Sequence, residues 1–272
     1  TTYYAEYESY RTPSYPLNVW FVPKIENGGL AYYNPETTKY ETATFASTGT
    51  TKSYFKSLSS GTGDIKIGDK TVNTENIVAV GFYKLGSEID TMTVPNNFCN
   101  FPNLVFCDIE FAETDSAKIT GIGDNFLVGC TNLTHVRLPG LPAITTIGNN
   151  FLNNCSSLRE VDFSQSNKVT SLGNNFMQGC TRVESVDITR MTALSGSAVV
   201  GPGFLNCCDS LKLFIMGELS AEIFSDDDTW SWSANWSFTT NNRYAPCFVD
   251  GTVIRGTNAS ALVNRYTSEE AS

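Results

Sequence analysis

Apolar residues recur through the middle of this chain in a register that repeats every 25 to 28 residues. Each copy has a Phe, a Cys four residues later, an aliphatic residue three positions after the Cys, and then two apolar residues that alternate with polar ones. Self-similarity at this period predicts a solenoid, in which each repeat packs against its neighbours. The Phe and Cys pairs are Phe126/Cys130, Phe151/Cys155, Phe176/Cys180 and Phe204/Cys208.

The register extends upstream of these pairs. Leu104, Cys107 and Ile109 repeat the spacing of the aliphatic positions, and the spacing returns once more from Ile77. The pattern therefore predicts about six strands and five connecting arcs between Ile77 and Met216, which exceeds the ~3 repeats that a stable stack requires.

The local structure of one repeat follows from its residue order. Alternating apolar and polar residues over 158–163 predict a short strand. The step Gly148-Asn149-Asn150 predicts a turn, because Gly and Asn tolerate left-handed backbone and Asn can bond to its own main chain. Phe151 and Cys155 lie four residues apart, which predicts that they share one face of a short helix.

The four register cysteines should stack as a column along the solenoid. Neighbouring turns of such a stack lie ~4.8 Å apart, which is within the Cα range of a disulfide. Parallel Cβ vectors disfavour bridging, however, so we expect buried thiols that pack as small apolar side chains. No CxxC motif and no His pair accompanies them, and we therefore predict no metal site.

The copies Ile147-Gly-x-x-Phe151-x-x-x-Cys155-x-x-Leu158-x-x-Val161 resemble the leucine-rich repeats of BspA-like bacterial surface antigens and the related mycoplasma-lipoprotein repeats. The resemblance covers about half of the chain. This sequence departs from the family pattern in two ways. An Asn-Asn pair precedes the Phe where that family often has a small residue, and the length of the turns varies between copies. The resemblance implies surface display, adhesion and protein binding, with no catalytic residues to carry over. It makes the expected fold class an α/β repeat, a leucine-rich-repeat solenoid of about six turns.

The sequence outside the repeats differs in composition from the repeats, and we divide the chain into three parts. Residues 1–72 are a Tyr-rich arm with a small β module, residues 73–216 are the solenoid, and residues 217–272 are a C-terminal cap. The first part predicts a strand at Asn18 to Val22 and two hairpins, with a Ser/Thr/Gly-rich loop from Ser47 to Gly63. The predicted hairpin strands are 30–33 with 40–45, and 64–67 with 70–72. The last part carries three closely spaced tryptophans, which suit a cap over the final turn.

Composition narrows the function classes. A net charge of −10 argues against a nucleic-acid partner, because phosphate binding needs clustered Lys and Arg. No apolar run is long enough to insert into a membrane. His135 is the only histidine, and we expect it to be an exposed imidazole. A nucleophilic pair with Cys130 is the alternative. We predict no catalytic residues and no cofactor, since no nucleophile elbow, P-loop or dinucleotide fingerprint occurs.

Two sets of residues are candidates for binding a protein partner. The outward positions of the predicted strands form columns of mixed charge, which are either a docking surface or a solvated face. The N-terminal arm is rich in Tyr, which is enriched at interfaces, and the arm is either held by a neighbouring subunit or folded back on its own chain. The candidates are Phe106, Asp108, His135, Arg137, Glu160, Asp162 and Asp187 on the strands, and Tyr3, Tyr4, Tyr7 and Tyr10 in the arm.

We therefore expect a non-enzymatic structural or recognition component of an extracellular assembly, either a phage virion or a cell surface. The arm would anchor the chain, and the solenoid would be displayed for binding protein. The alternative is a free-standing surface adhesin that binds host or matrix protein through the concave strand face. A carbohydrate-active enzyme is a third class, but no paired acid and base residues support it.

Overall fold

The structure, a computed structural model, describes most of the chain between Phe55 and Leu211 and only short segments toward the two ends. The described residues are 18–22, 29–34, 39–44, 55–59, 61–82, 91–109, 118–138, 143–211, 213–215, 219, 223 and 245–247.

The regular elements of the described residues are short strands, a 3₁₀ turn at Thr74–Asn76 and one helical turn at 55–57. No strand among them is longer than six residues. The strands are β1 (Asn18–Val22), β2 (Gly29–Asn34), β3 (Lys39–Thr44), β4 (Asp64–Ile67), β5 (Lys70–Asn73), β6 (Ile77–Phe82), β7 (Met92–Val94), β8 (Phe106–Asp108), β9 (Ile119–Ile122), β10 (His135–Arg137), β11 (Thr146–Ile147), β12 (Ser171–Leu172), β13 (Ser185–Asp187), β14 (Leu213–Ile215) and β15 (Ala245–Cys247).

Parallel pairing between successive repeats builds two strand columns. One column contains β6, β8 and β10 and resumes in β13, β14 and β15, all paired in parallel. The other contains β7, β9, β11 and β12. In the first column Val80 pairs with Cys107 and Cys107 with Val136, so the apolar positions of the register face one core. The ladder runs on to β15, beyond Met216, where we expected the solenoid to end.

The N-terminal strands join the first column. β1 pairs in parallel with β6, and β2 and β3 extend the same sheet as an antiparallel hairpin, giving the order β10-β8-β6-β1-β2-β3. The predicted strand at 18–22 and both predicted hairpins, including β4 with β5, are confirmed. The predicted Ser/Thr/Gly loop also contains an apolar anchor, since Phe55 and Leu58 are completely buried.

The prediction of a strand over 158–163 is wrong. No strand is present there, and the column is interrupted between β10 and β13. The segment closes locally instead: the Ser166 N–H donates to the Phe163 carbonyl at 3.1 Å, and the Asp162 carboxylate accepts from the Ser164 N–H at 2.8 Å.

The prediction of a short helix at Phe151 to Cys155 is also wrong. The segment is a series of turns in which every second residue has left-handed backbone, with φ of 57° at Asn150, 54° at Leu152 and 61° at Asn154. Asn adopts this conformation readily, and Leu has no branched Cβ to forbid it. Phe151 and Cys155 still point into the core, because alternating backbone returns the chain to the same side.

This alternating backbone lets each arc bond to the arcs before and after it. The Asn150 N–H donates to the following arc, at Asn174 O, over 2.7 Å. The Leu152 N–H donates to the preceding arc, at Phe126 O, over 2.9 Å. A helix would have bonded these groups within itself, whereas the arcs use them to fix the register of the stack.

The Phe of each repeat forms a continuous stack through the core. Successive ring centroids are 5.0 to 5.7 Å apart, and each ring is stacked on the next. These rings are nearly or completely buried, and offset stacking of aromatic rings adds to the free energy of their burial. The stack contains Phe55, Phe98, Phe126, Phe151, Phe176 and Phe204.

An asparagine ladder runs beside the Phe stack, which we define as Asn97, Asn125, Asn150 and Asn175. The Nδ2 group of each later residue donates to Oδ1 of the one before, over 2.7 to 2.9 Å. Asn150 belongs to the turn predicted at 148–150, where an Asn side chain can bond to its own main chain, but its side chain links neighbouring arcs instead. The ladder ends at Gly203, which has no side chain to continue it.

The glycine before each Asn pair allows the arcs to approach closely. A Cβ atom on Gly148 would lie 2.6 Å from Asp124 Oδ1 and 2.7 Å from the carbonyl carbon of Gly123. Both distances are well inside van der Waals contact, so only Gly fits where this backbone crosses its neighbour.

We predict that Gly148→Ala lowers the free energy of unfolding by about 3 kcal/mol, the upper end of overpacking, because a neighbouring backbone cannot rotate away. The control is Gly129→Ala, since Gly129 has a φ of 73° but no atom within 4 Å of an added Cβ. The control should lose only about 1 kcal/mol, from backbone strain. Urea unfolding followed by circular dichroism measures both, and equal losses would contradict the close-approach explanation.

Candidate protein-binding face

The outward positions of the first strand column were expected to form one continuous face. The structure divides them into two parts. At β6 and β8 every described side chain is buried, at β10 the side chains are half-buried, and only from residue 160 onward are the outward positions exposed. Only the later part of this face therefore has outward side chains that are fully accessible to a partner.

Phe106 and Asp108 are wrong as partner-binding residues. Phe106 has no exposed surface and Asp108 is 1% exposed. They pair in register with Ala79 and Gly81, which are buried as well. Strand alternation correctly places these positions opposite the core, but the folded chain also covers this side of β6 and β8.

Arg137 forms an ion pair with the buried Asp108. Arg137 Nη1 donates to Asp108 Oδ2 over 3.3 Å, and the Arg137 side chain is 35% exposed. A buried carboxylate needs a cation and hydrogen bonds to replace its hydration. Arg137 therefore stabilises the fold at this point, and less of its guanidinium is available to a partner than the sequence indicated.

His135 is not the fully exposed imidazole that we expected. Its ring lies parallel to Phe106 with centroids 4.6 Å apart, and the residue is half-buried. This stacking holds the imidazole plane against the Phe106 ring of β8.

The exposed strand face, which we define as Glu160 and Asp162 in the interrupted part of the column and Ser185 and Asp187 on β13, retains the predicted candidates. All four side chains are exposed. Asp162 and Asp187 each accept a backbone hydrogen bond at 2.8 Å through Oδ1, from the residue two positions later. This bond closes a tight turn and fixes each carboxylate. Tyr3, Tyr4, Tyr7 and Tyr10 lie outside the described residues, and their role stays a prediction.

The cysteines of the register are free thiols, as predicted. The sequence did not indicate their hydrogen bonds. Cys155 Sγ donates to Leu127 O over 3.1 Å, and Cys180 Sγ donates to Leu152 O over 3.2 Å. Cys208 makes the same contact one repeat later, to Met177 O over 3.2 Å. Each acceptor belongs to a left-handed residue of the preceding arc.

Burial makes these thiols poor nucleophiles. It raises the pKa of Cys130 far above its ordinary value and that of Cys180 to about 12. The thiolate is the reactive form, so both groups are unreactive near neutral pH. Cys130 Sγ also donates to Cys99 O, over 3.3 Å, while His135 stacks on Phe106. The geometry therefore does not support a Cys–His nucleophile.

Neither a metal-binding cluster nor a membrane-spanning helix occurs among the described residues. Their His, Cys, Asp and Glu side chains do not gather into any group of three or more that is suited to a metal ion. None of the helical segments that the structure describes has the length and apolar character needed to cross a membrane.

One known family matches the chain. The BspA type leucine rich repeat region matches in 6 copies over residues 75–207. This span contains the Phe stack from Phe98 to Phe204, the asparagine ladder and the exposed strand face. Neither a curated protein nor a solved structure matches the chain.

We predict that alkylation of the native protein separates the thiols by position. Iodoacetamide should label exposed Cys207, whereas Cys130, Cys155, Cys180 and Cys208 should stay unlabelled until the chain is unfolded. Raising the pH from 7 to 9 should not change this, since a pKa of about 12 leaves about one thiolate in a thousand at Cys180. Peptide mass spectrometry reads the labels, and native labelling of the buried thiols at the rate of Cys207 would contradict this assignment.

We also predict that Arg137→Met lowers the free energy of unfolding by about 2 kcal/mol, because it leaves the Asp108 carboxylate buried without its cation. Adding Asp108→Asn should restore part of the loss, since the remaining group is then neutral. The exposed Arg190 supplies the control, and Arg190→Met should cost less than about 0.5 kcal/mol. Chemical denaturation measures all three variants. A loss at Arg137 no larger than at Arg190 would contradict the buried-pair explanation.

Proposed function

Residues 75–207 form a BspA-type leucine-rich repeat region, and from this we propose that the chain is a non-enzymatic protein-binding component of an extracellular assembly, either a phage virion or a cell surface. Leucine-rich repeats of this type are surface and protein-interaction modules. In this proposal the arm before Asn18 holds the chain in the assembly. The repeats present the exposed strand face to a protein partner.

The observation that carries the proposal is the contrast between the repeat interior and the exposed strand face. Hydrogen bonds between arcs, stacked Phe rings and buried thiols occupy the interior of the described repeats. The outward side chains at 160, 162, 185 and 187 are instead exposed. A surface that is fixed in position but not needed for the core suits recognition, because little conformational entropy is lost when a partner binds.

The chemistry of this face favours a protein partner with polar and basic groups. Glu160, Asp162 and Asp187 are acidic, and Ser185 adds a hydroxyl. Oppositely charged surfaces speed the encounter of two proteins and fix their relative orientation.

The Tyr-rich arm supports the assembly part of the proposal. The first sixteen residues have no aliphatic side chain larger than Ala, so they cannot bury a core of their own. Five tyrosines in this stretch provide large contact areas with polar tips, which suit an interface with another protein. The exposed strand face equally fits the alternative, a free-standing adhesin that binds host or matrix protein.

We predict that the full chain forms a large oligomer and that a chain beginning at Leu17 is a monomer. Sedimentation velocity of both proteins at matched concentrations measures this, and circular dichroism verifies that the shorter chain keeps its strands. A second variant replaces Tyr3, Tyr4, Tyr7 and Tyr10 by Ser in the full-length chain, and it should weaken the association because the contact area of the Tyr rings is lost. If the full chain is itself a monomer, the assembly proposal fails and the adhesin interpretation takes its place.

A further inference from the structure

The six-stranded sheet ends in a long edge strand. β3 (Lys39–Thr44) pairs with β2 along all six of its residues. Within the part of the chain that the structure describes, it is the last strand of this sheet. The backbone N–H and C=O groups that point away from β2 are therefore a template on which a further strand can pair.

The course of the chain places the arm at one end of this edge. β2 is antiparallel to both β1 and β3, so β1 and β3 run in the same direction. Asn18, the first residue of β1, therefore lies at the same end of the sheet as Lys39, the first residue of β3. Residues 1–17 lead into the sheet at this end.

The sequence of the arm suits pairing through its main chain. Residues 1–12 contain no Pro and are rich in Tyr and Thr, which favour strands. They lack the large aliphatic side chains that would anchor an arm in an apolar pocket. Pro13 and Pro16 donate no hydrogen bond, so they limit the pairing segment to the residues before position 13.

The length of the connection between the arm and β1 allows two possible receiving edges. A strand beyond β3 lies three strand spacings from β1, about 14 Å. The seven residues 11–17 join position 10 to Asn18, and they span about 25 Å when fully extended. The arm can therefore reach the β3 edge of its own chain as well as that of a second copy, and its proposed role in the assembly selects the second copy.

From this juxtaposition we propose that residues 3–10 of one copy pair as an added strand on the outer edge of β3 in a second copy. Strand addition of this kind derives its affinity from main-chain hydrogen bonds. The inference rests on the proposed function, in which the arm holds the chain in an assembly, and it names the surface that receives the arm.

The test uses the full-length protein with competing peptides of residues 1–16. A strand directs the N–H groups of alternate residues to opposite edges. One peptide carries N-methyl groups at positions 4, 6 and 8, and its matched control carries them at 5, 7 and 9. The unmodified peptide should dissociate the oligomer in sedimentation. One methylated peptide should be about a hundredfold weaker, from the loss of about three hydrogen bonds, and the other should act like the unmodified peptide.

Hydrogen exchange of residues 39–44 is the second readout. Exchange there should be slower above the concentration at which the full chain associates than below it, because the added strand protects the outer amides. If the chain associates but exchange at 39–44 is the same at both concentrations, or both methylated peptides weaken equally, the β3 site is wrong and the arm anchors elsewhere. Slow exchange at 39–44 in a full-length monomer would place the arm on its own chain. A monomer without such protection would overturn this proposal and the assembly proposal together.

Discussion

The constraint on which the structure depends is that every connecting arc must bond its backbone groups to two neighbours while it reverses direction. Left-handed residues at alternate positions meet this constraint, because they direct successive N–H groups forward and backward along the stack, as at Asn150 and Leu152. Each such residue other than Gly has a conformational cost. The cost is reduced where Asn is used and is offset by inter-arc hydrogen bonds, buried Phe rings and the asparagine ladder.

The same constraint gives a reason for cysteine in the register. The carbonyl of Leu127 already accepts the Cys130 N–H of its own arc at 3.4 Å, and it also accepts the Cys155 thiol of the next arc at 3.1 Å. A side chain at this position must be small, apolar enough for a fully buried site, and able to donate one weak hydrogen bond. Cys has all three properties, whereas Ala lacks the donor and Ser is costlier to bury. We infer that hydrogen bonding between the turns, and not disulfide formation, accounts for these thiols.

The sequence predicts the repeat much better than it predicts the arcs or the surface. Its period identifies the buried Phe and Cys positions, because burial recurs wherever the register does. It does not distinguish a helix from an arc at Phe151 and Cys155, since both place residues four apart on one side. The alternation of apolar and polar residues also distinguishes the two sides of a strand. It does not show which part of the outer side is covered by the rest of the chain. Phe106 and Asp108 were therefore wrong as binding residues, while Glu160 and Asp187 remain candidates.

The division of the strand face has a consequence for how its residues can vary. At Glu160 and Ser185 the exposed side chain has no hydrogen bond that the fold requires, so its identity is free to follow the partner. Asp162 and Asp187 differ, because one carboxylate oxygen of each closes the turn that follows. Asn or Ser can replace that acceptor without a charge, whereas only a carboxylate both closes the turn and attracts a basic partner. Each of the two aspartates thus has a structural role, in closing the turn, and a recognition role, through its charge. Substitution by Asn keeps the hydrogen-bond acceptor of the turn and removes the charge.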